Sequence, residues 1–262
     1  SVQDKLRVFK HAEDLMTGAE RAGCLDGSVD VSAKIQSALN QFKYVLLSPG
    51  HVYLASNLSS VEQGALMCIG GRATIKVASG ASKYGMVINT SDFIVDGVDF
   101  DGSNLGPYNV VSASAGTRIG LTVGNSFGTG LQLQNITIQN CDLYGFDLAG
   151  LYGGEVQIGF VFGKRVTLHN VNSHHNYVNF WMSPRFEYVN ATLCYGYEGF
   201  VGVLVAAGNN KFASCSFENN WQNAQITSGE NNSHGGFIGC SFNHAAVGGL
   251  GLYVLNAANG MA

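Results

Sequence analysis

Two glutamates, Glu198 and Glu218, have Tyr197, Asn219 and Trp221 close beside them in the sequence. Two carboxyls held roughly 5–10 Å apart can divide the work of breaking a glycosidic bond. One protonates the leaving oxygen and the other attacks or activates water. Asp99 and Asp142 form a second candidate pair, because both fill the third place of a recurring four-residue phrase. Carboxylates one strand spacing apart repel unless a cation, a proton or a hydrogen bond relieves them. Asp147 lies near enough in sequence to join them. The dipeptide His174-His175 offers a general base. Neighbours on a strand point to opposite sides, so at most one of the two is expected to face the groove. Tyr177, Tyr197, Trp221, His175 and Asn219 supply apolar ring surface and hydrogen-bonding groups. Trp181 sits in a strand-like run and serves either packing or binding. Against each of these stands a plain structural role: solvated turn carboxylates, packed rings, and asparagines that stabilise bends.

A repeat must position these residues. The phrase reads Gly97-Val98-Asp99-Phe100, Asn140-Cys141-Asp142-Leu143, Asn170-Val171-Asn172-Ser173, Asn190-Ala191-Thr192-Leu193, Ser214-Cys215-Ser216-Phe217 and Gly239-Cys240-Ser241-Phe242, with a fainter copy at Arg72-Ala73-Thr74-Ile75. An apolar residue stands three places before nearly every compact second position. Spacings in the twenties, with apolar residues at every second place, indicate a β-solenoid in which each repeat is one coil. Coils stack because none buries its inward side chains alone. The interval from Val98 to Cys141 is longer than the rest and is read as one coil carrying a loop over 101–118. A smaller excursion is expected over 149–163. About seven coils result. Stacked by this ruler, one outer column holds Asp101, Tyr144, His174, Cys194, Glu218 and Asn243. The next holds Gly102, Gly145, His175, Tyr195, Asn219 and His244. Asp147, Tyr177, Tyr197 and Trp221 lie further on, with Glu198 beside them.

Composition narrows the classes. Charged residues make up 12% of the chain, about half the usual fraction. Net charge is −4 and no basic run occurs, so a nucleic-acid footprint is not expected. No apolar run approaches a membrane span. The six cysteines lack close metal-type pairs. Cys141, Cys215 and Cys240 share one core register and are read as small buried thiols. No metal or cofactor is called for.

Near the N-terminus, Asp26-Gly27-Ser28-Val29-Asp30 precedes Ala33-Lys34-Ile35-Gln36-Ser37-Ala38-Leu39 and then Tyr44–Tyr53, with Pro49-Gly50 as a turn between two strands. Apolar positions 31, 35, 38 and 39 lie on one helical face, and Asp30 or Ser32 is placed to cap it. This opening resembles that of pectate-lyase-like right-handed parallel β-helices, above all bacteriophage tailspikes and capsule depolymerases. Val31 departs from the acidic residue or threonine often found there.

The resemblance implies an all-β, single-stranded, right-handed parallel β-helix over 44–262, preceded by a lead-in and capping helix over 1–43. The final strand has no polar cap after it, so the solenoid is expected to continue past residue 262 or into a partner. The resemblance further implies a virion-tail or extracellular homotrimer that binds a bacterial surface polysaccharide (capsule or O-antigen) and hydrolyses it. It leaves open a binding-only adhesin, and a lyase or epimerase. Few lysines or arginines lie near the column in sequence, which counts against the last.

Overall fold

The computed structural model describes residues 9–78, 84–103, 116–124, 133–154, 163–184, 186–227 and 235–254. Every strand pairing in it is parallel, and the strands stack as three faces of a solenoid. The first face runs from Phe9–His11 and Tyr44–Leu47 through Gly64–Cys68 and Phe93–Asp96 to Val189–Thr192, Asn210–Ala213 and Gly235–Ile238. The second holds Val52–Leu54, Ala73–Lys76, Val98–Asp101, Tyr195–Tyr197, Ser216–Glu218 and Ser241–Asn243. Two long strands, Leu133–Tyr144 and Gly163–His174, serve both faces and join them into one 15-stranded sheet. The third face is a separate 8-stranded sheet, from Leu58–Ser59 to Leu250–Val254. The fold is the expected parallel β-helix. It has one rung more than the phrase shows, because the first coil, Tyr44–Ser59, lacks that phrase.

The bend between the first two faces explains why the phrase recurs. Its first residue takes the left-handed backbone conformation: Gly97 (φ 67°), Asn140 (53°), Asn170 (52°), Ser214 (53°) and Gly239 (61°). Asparagine tolerates that region because its short polar side chain bonds locally. Gly97 is needed for a second reason. A Cβ there would stand 2.8 Å from the Cys68 carbonyl oxygen and 3.1 Å from that of Gly71.

One coil is out of step with the sequence ruler. Leu168 pairs with Ala191 and Asn172 with Tyr195, so the bend falls at Leu193 (φ 54°) and the compact residue is Cys194. The phrase at 190–193 therefore belongs to the strand before the bend, and the internal ladder runs Val171, Cys194, Cys215, Cys240. All six cysteines are free thiols. The long interval is one coil, since Val95 pairs directly with Ile138 and Phe100 with Leu143. Most of the loop expected over 101–118 lies outside the described residues. Of the 149–163 excursion, Ala149–Gly153 is a regular third-face strand, and 155–162 lies outside the described residues.

The interior is a set of apolar ladders. Ile138, Leu168, Ala191 and Phe212 follow one another on the first face, each at most 1% exposed. The N-terminal rung is covered by helix α2, Ser32–Gln41, which follows the short helix α1, Gly18–Gly23. Asp30 Oδ1 accepts from Ser32 N, and Ile35, Ala38 and Leu39 point inward. Gln36 stands in for a missing strand: its amide accepts from Ser59 N at 2.8 Å and donates to Ser59 O at 3.0 Å. That satisfies backbone groups a bare sheet edge leaves open. The lead-in is fastened at Glu13, which Tyr53 and His51 both approach. Burial pushes the Glu13 carboxyl up, but bonds from Tyr53 and Ser48 and the His51 charge outweigh it and hold it below its usual value. At the last rung Leu252 and Val254 are 52% and 42% exposed, where their partners Ala224 and Ile226 are buried.

Candidate functional site

The second face presents two columns of outward side chains, because outward residues recur at every second place. One column is Asp99, Asp142, Asn172, Tyr195, Ser216 and Ser241. The other is Lys76, Asp101, Tyr144, His174, Tyr197, Glu218 and Asn243. Immediately after the second column the chain turns again through left-handed residues: Gly145 (φ 77°), His175 (52°), Glu198 (51°), Asn219 (53°) and His244 (49°). This turn departs from simple strand alternation. It brings His175 round beside His174, with ring centroids 5.0 Å apart, instead of sending it to the opposite side. It likewise leaves Glu198 next to Tyr197 on the outer corner.

The corner holds a chain of polar contacts. Arg72 Nη2 lies 2.7 Å from Asp99 Oδ1, and that oxygen also accepts from the backbone N of Asp142 at 2.8 Å. Asp142 Oδ1 faces His174 Nε2 at 3.1 Å. His174 Nδ1 and His175 Nδ1 are 2.7 Å apart. His175 Nε2 then reaches Glu198 Oε2 at 3.1 Å, and Asn219 Nδ2 approaches Glu198 Oε1 at 3.5 Å. Burial pushes the Asp99 carboxyl up to about 6, against the pull of the partly exposed Arg72 guanidinium. Burial holds His175 below the ordinary imidazole value, against the opposing pull of Glu198. Glu218 is half-buried, and its carboxyl has no hydrogen-bond or ion-pair partner among the described residues.

Rings fill the space between. Tyr144 and Tyr197 stack on the two faces of His174, at 5.2 and 4.6 Å with interplanar angles of 6° and 13°. Tyr195 lies against Tyr197 at 4.6 Å. Burial pushes the Tyr197 phenol up to about 12 and the Tyr144 phenol up further. Within this stack ring faces cover one another, so the column offers ring edges and hydroxyls to a ligand more than open platforms. A second aromatic column stands across the turn, with Tyr177 and Phe200 stacked at 5.0 Å and Trp221 in register on the next rung.

Most of the expected site residues therefore share one corner: Asp99, Asp142, His174, His175, Tyr197, Glu198, Glu218 and Asn219, with Tyr177 and Trp221 beyond the turn. Two stand apart. The Asp147 carboxylate accepts from the backbone N of Thr117 (3.1 Å) and of Arg118 (2.6 Å), so it organises the start of the preceding coil's third-face strand, Ile119–Val123. Trp181 projects from the third face, edge-on to Tyr152 at 5.2 Å. Arg72 is an addition, and Tyr144 and Tyr195, which the sequence ruler gave only as column positions, join the site. The slipped phrase put Cys194 where Tyr197 stands and Tyr195 where Glu198 stands; aligning Cys194 with Cys215 and Cys240 corrects both. Arg72 left no signal, because it reaches across rungs to Asp99 and to the Asn140 carbonyl oxygen at 3.0 Å. Among the described residues no cluster of three or more His, Cys, Asp or Glu is placed to hold a metal ion.

By architecture the chain is a parallel β-helix whose richest chemistry lies on an outer corner. Among solved structures it is similar to the Dettilon tailspike protein, with a TM-score of 0.66 at 12% identity. The match covers 97% of this chain and 48% of the other, so the chain spans about half the length of that protein. At that identity the likeness is one of fold. No family model and no curated protein matches the sequence. Among the described residues no helix is long and apolar enough to cross a membrane.

Proposed function

We propose that the chain is part of a tailspike-type protein of a virion tail that binds a bacterial surface polysaccharide and cleaves it by glycoside hydrolysis. The observation that carries this reading is the corner itself. Four carboxylates, two imidazoles and two aromatic columns run along neighbouring rungs of the solenoid, with Glu198 its more exposed carboxylate and Asp99 more buried. An extended chain of sugars needs such a surface: ring edges and amides for its hydroxyls, apolar ring area for its C–H faces, and a pair of carboxyls at the scissile bond. Glu198 and Glu218 are the accessible pair. Glu198 is bound on one side by His175, and Glu218, on the next rung, is free to act on water or on the sugar. The fold likeness to a tailspike supports the setting, and side-by-side packing of three copies belongs to the same proposal.

Asp99 and Asp142 support a second assignment within the same reading. A carboxyl raised to about 6 retains its proton closer to neutrality, as a general acid requires. Arg72 beside Asp99 also supplies a cation that a lyase acting on acidic sugars needs.

The test is Glu218→Gln against the unaltered protein on a panel of purified bacterial surface polysaccharides, reading binding and chain length together. Cleavage is expected to fall at least about 100-fold with binding retained. Unchanged cleavage, with loss in Asp99→Asn, moves the chemistry to the Asp99/Asp142 rungs. An unsaturated product absorbing in the ultraviolet identifies a lyase. Binding without shortening by either protein identifies an adhesin.

A further inference from the structure

The charge pairing of the corner leaves one proton over. His174 Nε2 faces Asp142 Oδ1 at 3.1 Å, and His175 Nε2 faces Glu198 Oε2 at the same distance. Both are ion-pair contacts; a ring lone pair held 3.1 Å from a carboxylate oxygen is repelled, so the carboxylates favour hydrogen on both Nε2 atoms. Asp142 Oδ1 is buried and receives no hydrogen bond among the described residues, so the His174 ring 3.1 Å away is the cation it can face. A neutral ring with hydrogen on Nε2 has a bare lone pair at Nδ1. Two neutral rings would then set lone pair against lone pair at 2.7 Å, a separation that fits only a donor and an acceptor.

We propose that Asp142, His174, His175 and Glu198 form one proton-sharing array, holding a single proton beyond two neutral imidazoles and two carboxylates. Two arrangements carry the same proton count. In one, the proton lies between the two Nδ1 atoms and both carboxyls are ionised. In the other, Nδ1–H belongs to His175, its Nε2 is bare, and the proton has passed to Glu198. The backbone builds this contact: left-handed His175 and Glu198 place both side chains on the corner, and the Tyr144 and Tyr197 rings clamp His174 between them. The charged and titratable neighbours are Asp99 with Arg72, Asp101 in the same column, and those two phenols; the amide of Asn219 completes the Glu198 side. A second extra proton would oppose two imidazolium ions in contact, which like-charge repulsion disfavours. The pair therefore titrates as a unit.

On the hydrolase reading, and resting on it, the array supplies Glu198 as the acid. The Glu198 proton passes to the leaving oxygen as the glycosidic C–O bond breaks. The proton of the attacking water passes to the partner carboxyl. That transfer spends the extra proton, so solvent first returns one to the histidine pair, and His175 Nε2–H then passes it on to Glu198. His174 and His175 are then positioning residues, not groups that touch the sugar.

The experiment is ring-¹⁵N NMR of the intact protein with labelled histidine, titrated without polysaccharide. His174 and His175 are expected to release one proton between them in one shared step. Glu198→Gln should move that step down by about one pH unit, because an ionised partner has been lost. The remaining histidines should not move. Independent release of a full proton from each ring overturns the array, as does a step that Glu198→Gln leaves in place. A shared step in a protein that shortens no polysaccharide sustains the array and removes only the hydrolase reading.

Discussion

Two polar networks run back to back through the same turn of the solenoid, one inside and one outside. The inner one is a ladder of Asn176, Asn179, Asn220 and Asn223, each 0% exposed. The outer one is the corner of Asp99, Asp142, His174, His175 and Glu198. Inside, every amide is matched. Asn176 accepts from Phe146 N and donates to Leu143 O. Asn179 donates to Tyr197 O and to Asn220 Oδ1. Asn220 accepts from Gly199 N and donates to Gly196 O, Glu218 O and Asn223 Oδ1. Outside, matching is incomplete: an oxygen of Asp142 is buried without a hydrogen bond, Asp99 is shifted toward neutrality, and Glu218 has no partner among the described residues. Buried polar groups that satisfy one another rigidify a fold. Groups left short of partners beside solvent are poised to act on something else. On the proposed reading, the difference separates scaffold from chemistry.

The sharpest way to break the comparison is Asn220→Ala. Removing that amide strands the Gly199 N–H and the Gly196 and Glu218 carbonyls in the interior. Each stranded group costs about 1–3 kcal/mol, so a loss of at least about 3 kcal/mol is expected. Urea unfolding monitored by tryptophan fluorescence reads it. A loss under about 1 kcal/mol would show that the inner ladder is replaceable and that satisfaction does not distinguish the two networks.

Asp99→Asn should act in the opposite direction. The folded carboxyl holds its proton up to about pH 6, whereas an unfolded aspartate releases it near pH 4. Between those values the folded state binds more protons, so this group's contribution to stability falls as pH rises. Asparagine removes that cost while keeping an oxygen for Asp142 N. Arg72, 43% exposed, can return to solvent. A gain of about 1–2 kcal/mol is expected at about pH 7.5, shrinking to nothing near pH 4. Urea midpoints at the two pH values check it. A loss at the higher pH would mean that the attraction between Arg72 and Asp99 outweighs the cost of burying the carboxylate.

How much of this was legible beforehand follows from what a sequence period encodes. The phrase gives the stacking, the left-handed bends at Asn140 and Asn170, and the thiol ladder at Cys215 and Cys240, because every coil repeats those constraints. It misleads at Asn190-Ala191-Thr192-Leu193, which imitates the phrase three residues early. A leucine at the real bend, Leu193, carries none of the polar signature that marks the others. The candidate acids and histidines were visible as residue types. Their pairing was not, because it depends on left-handed turns at His175 and Glu198 that side chains of those types do not advertise. The cross-rung reach of Arg72 is likewise a property of the stack and not of any one coil.

The smallest expected effect on stability tests the outer side of the comparison most closely. His174→Gln removes a stacked ring that is already partly solvated, and Gln can still donate a hydrogen bond to Asp142. Aromatic contacts of this kind contribute about 0.5–1.5 kcal/mol each, and part of that is recovered when Tyr144 and Tyr197 close on the smaller side chain. Unfolding should shift by about 1 kcal/mol or less. If the corner is the working surface, polysaccharide cleavage should nonetheless fall by at least about tenfold, with its pH profile displaced because Glu198 has lost its proton source. A large stability loss with an unchanged pH profile would place His174 with the buried asparagines, as a structural member of the stack. The opposite pattern, a stable fold with altered proton dependence, is what separates the outer network from the inner one.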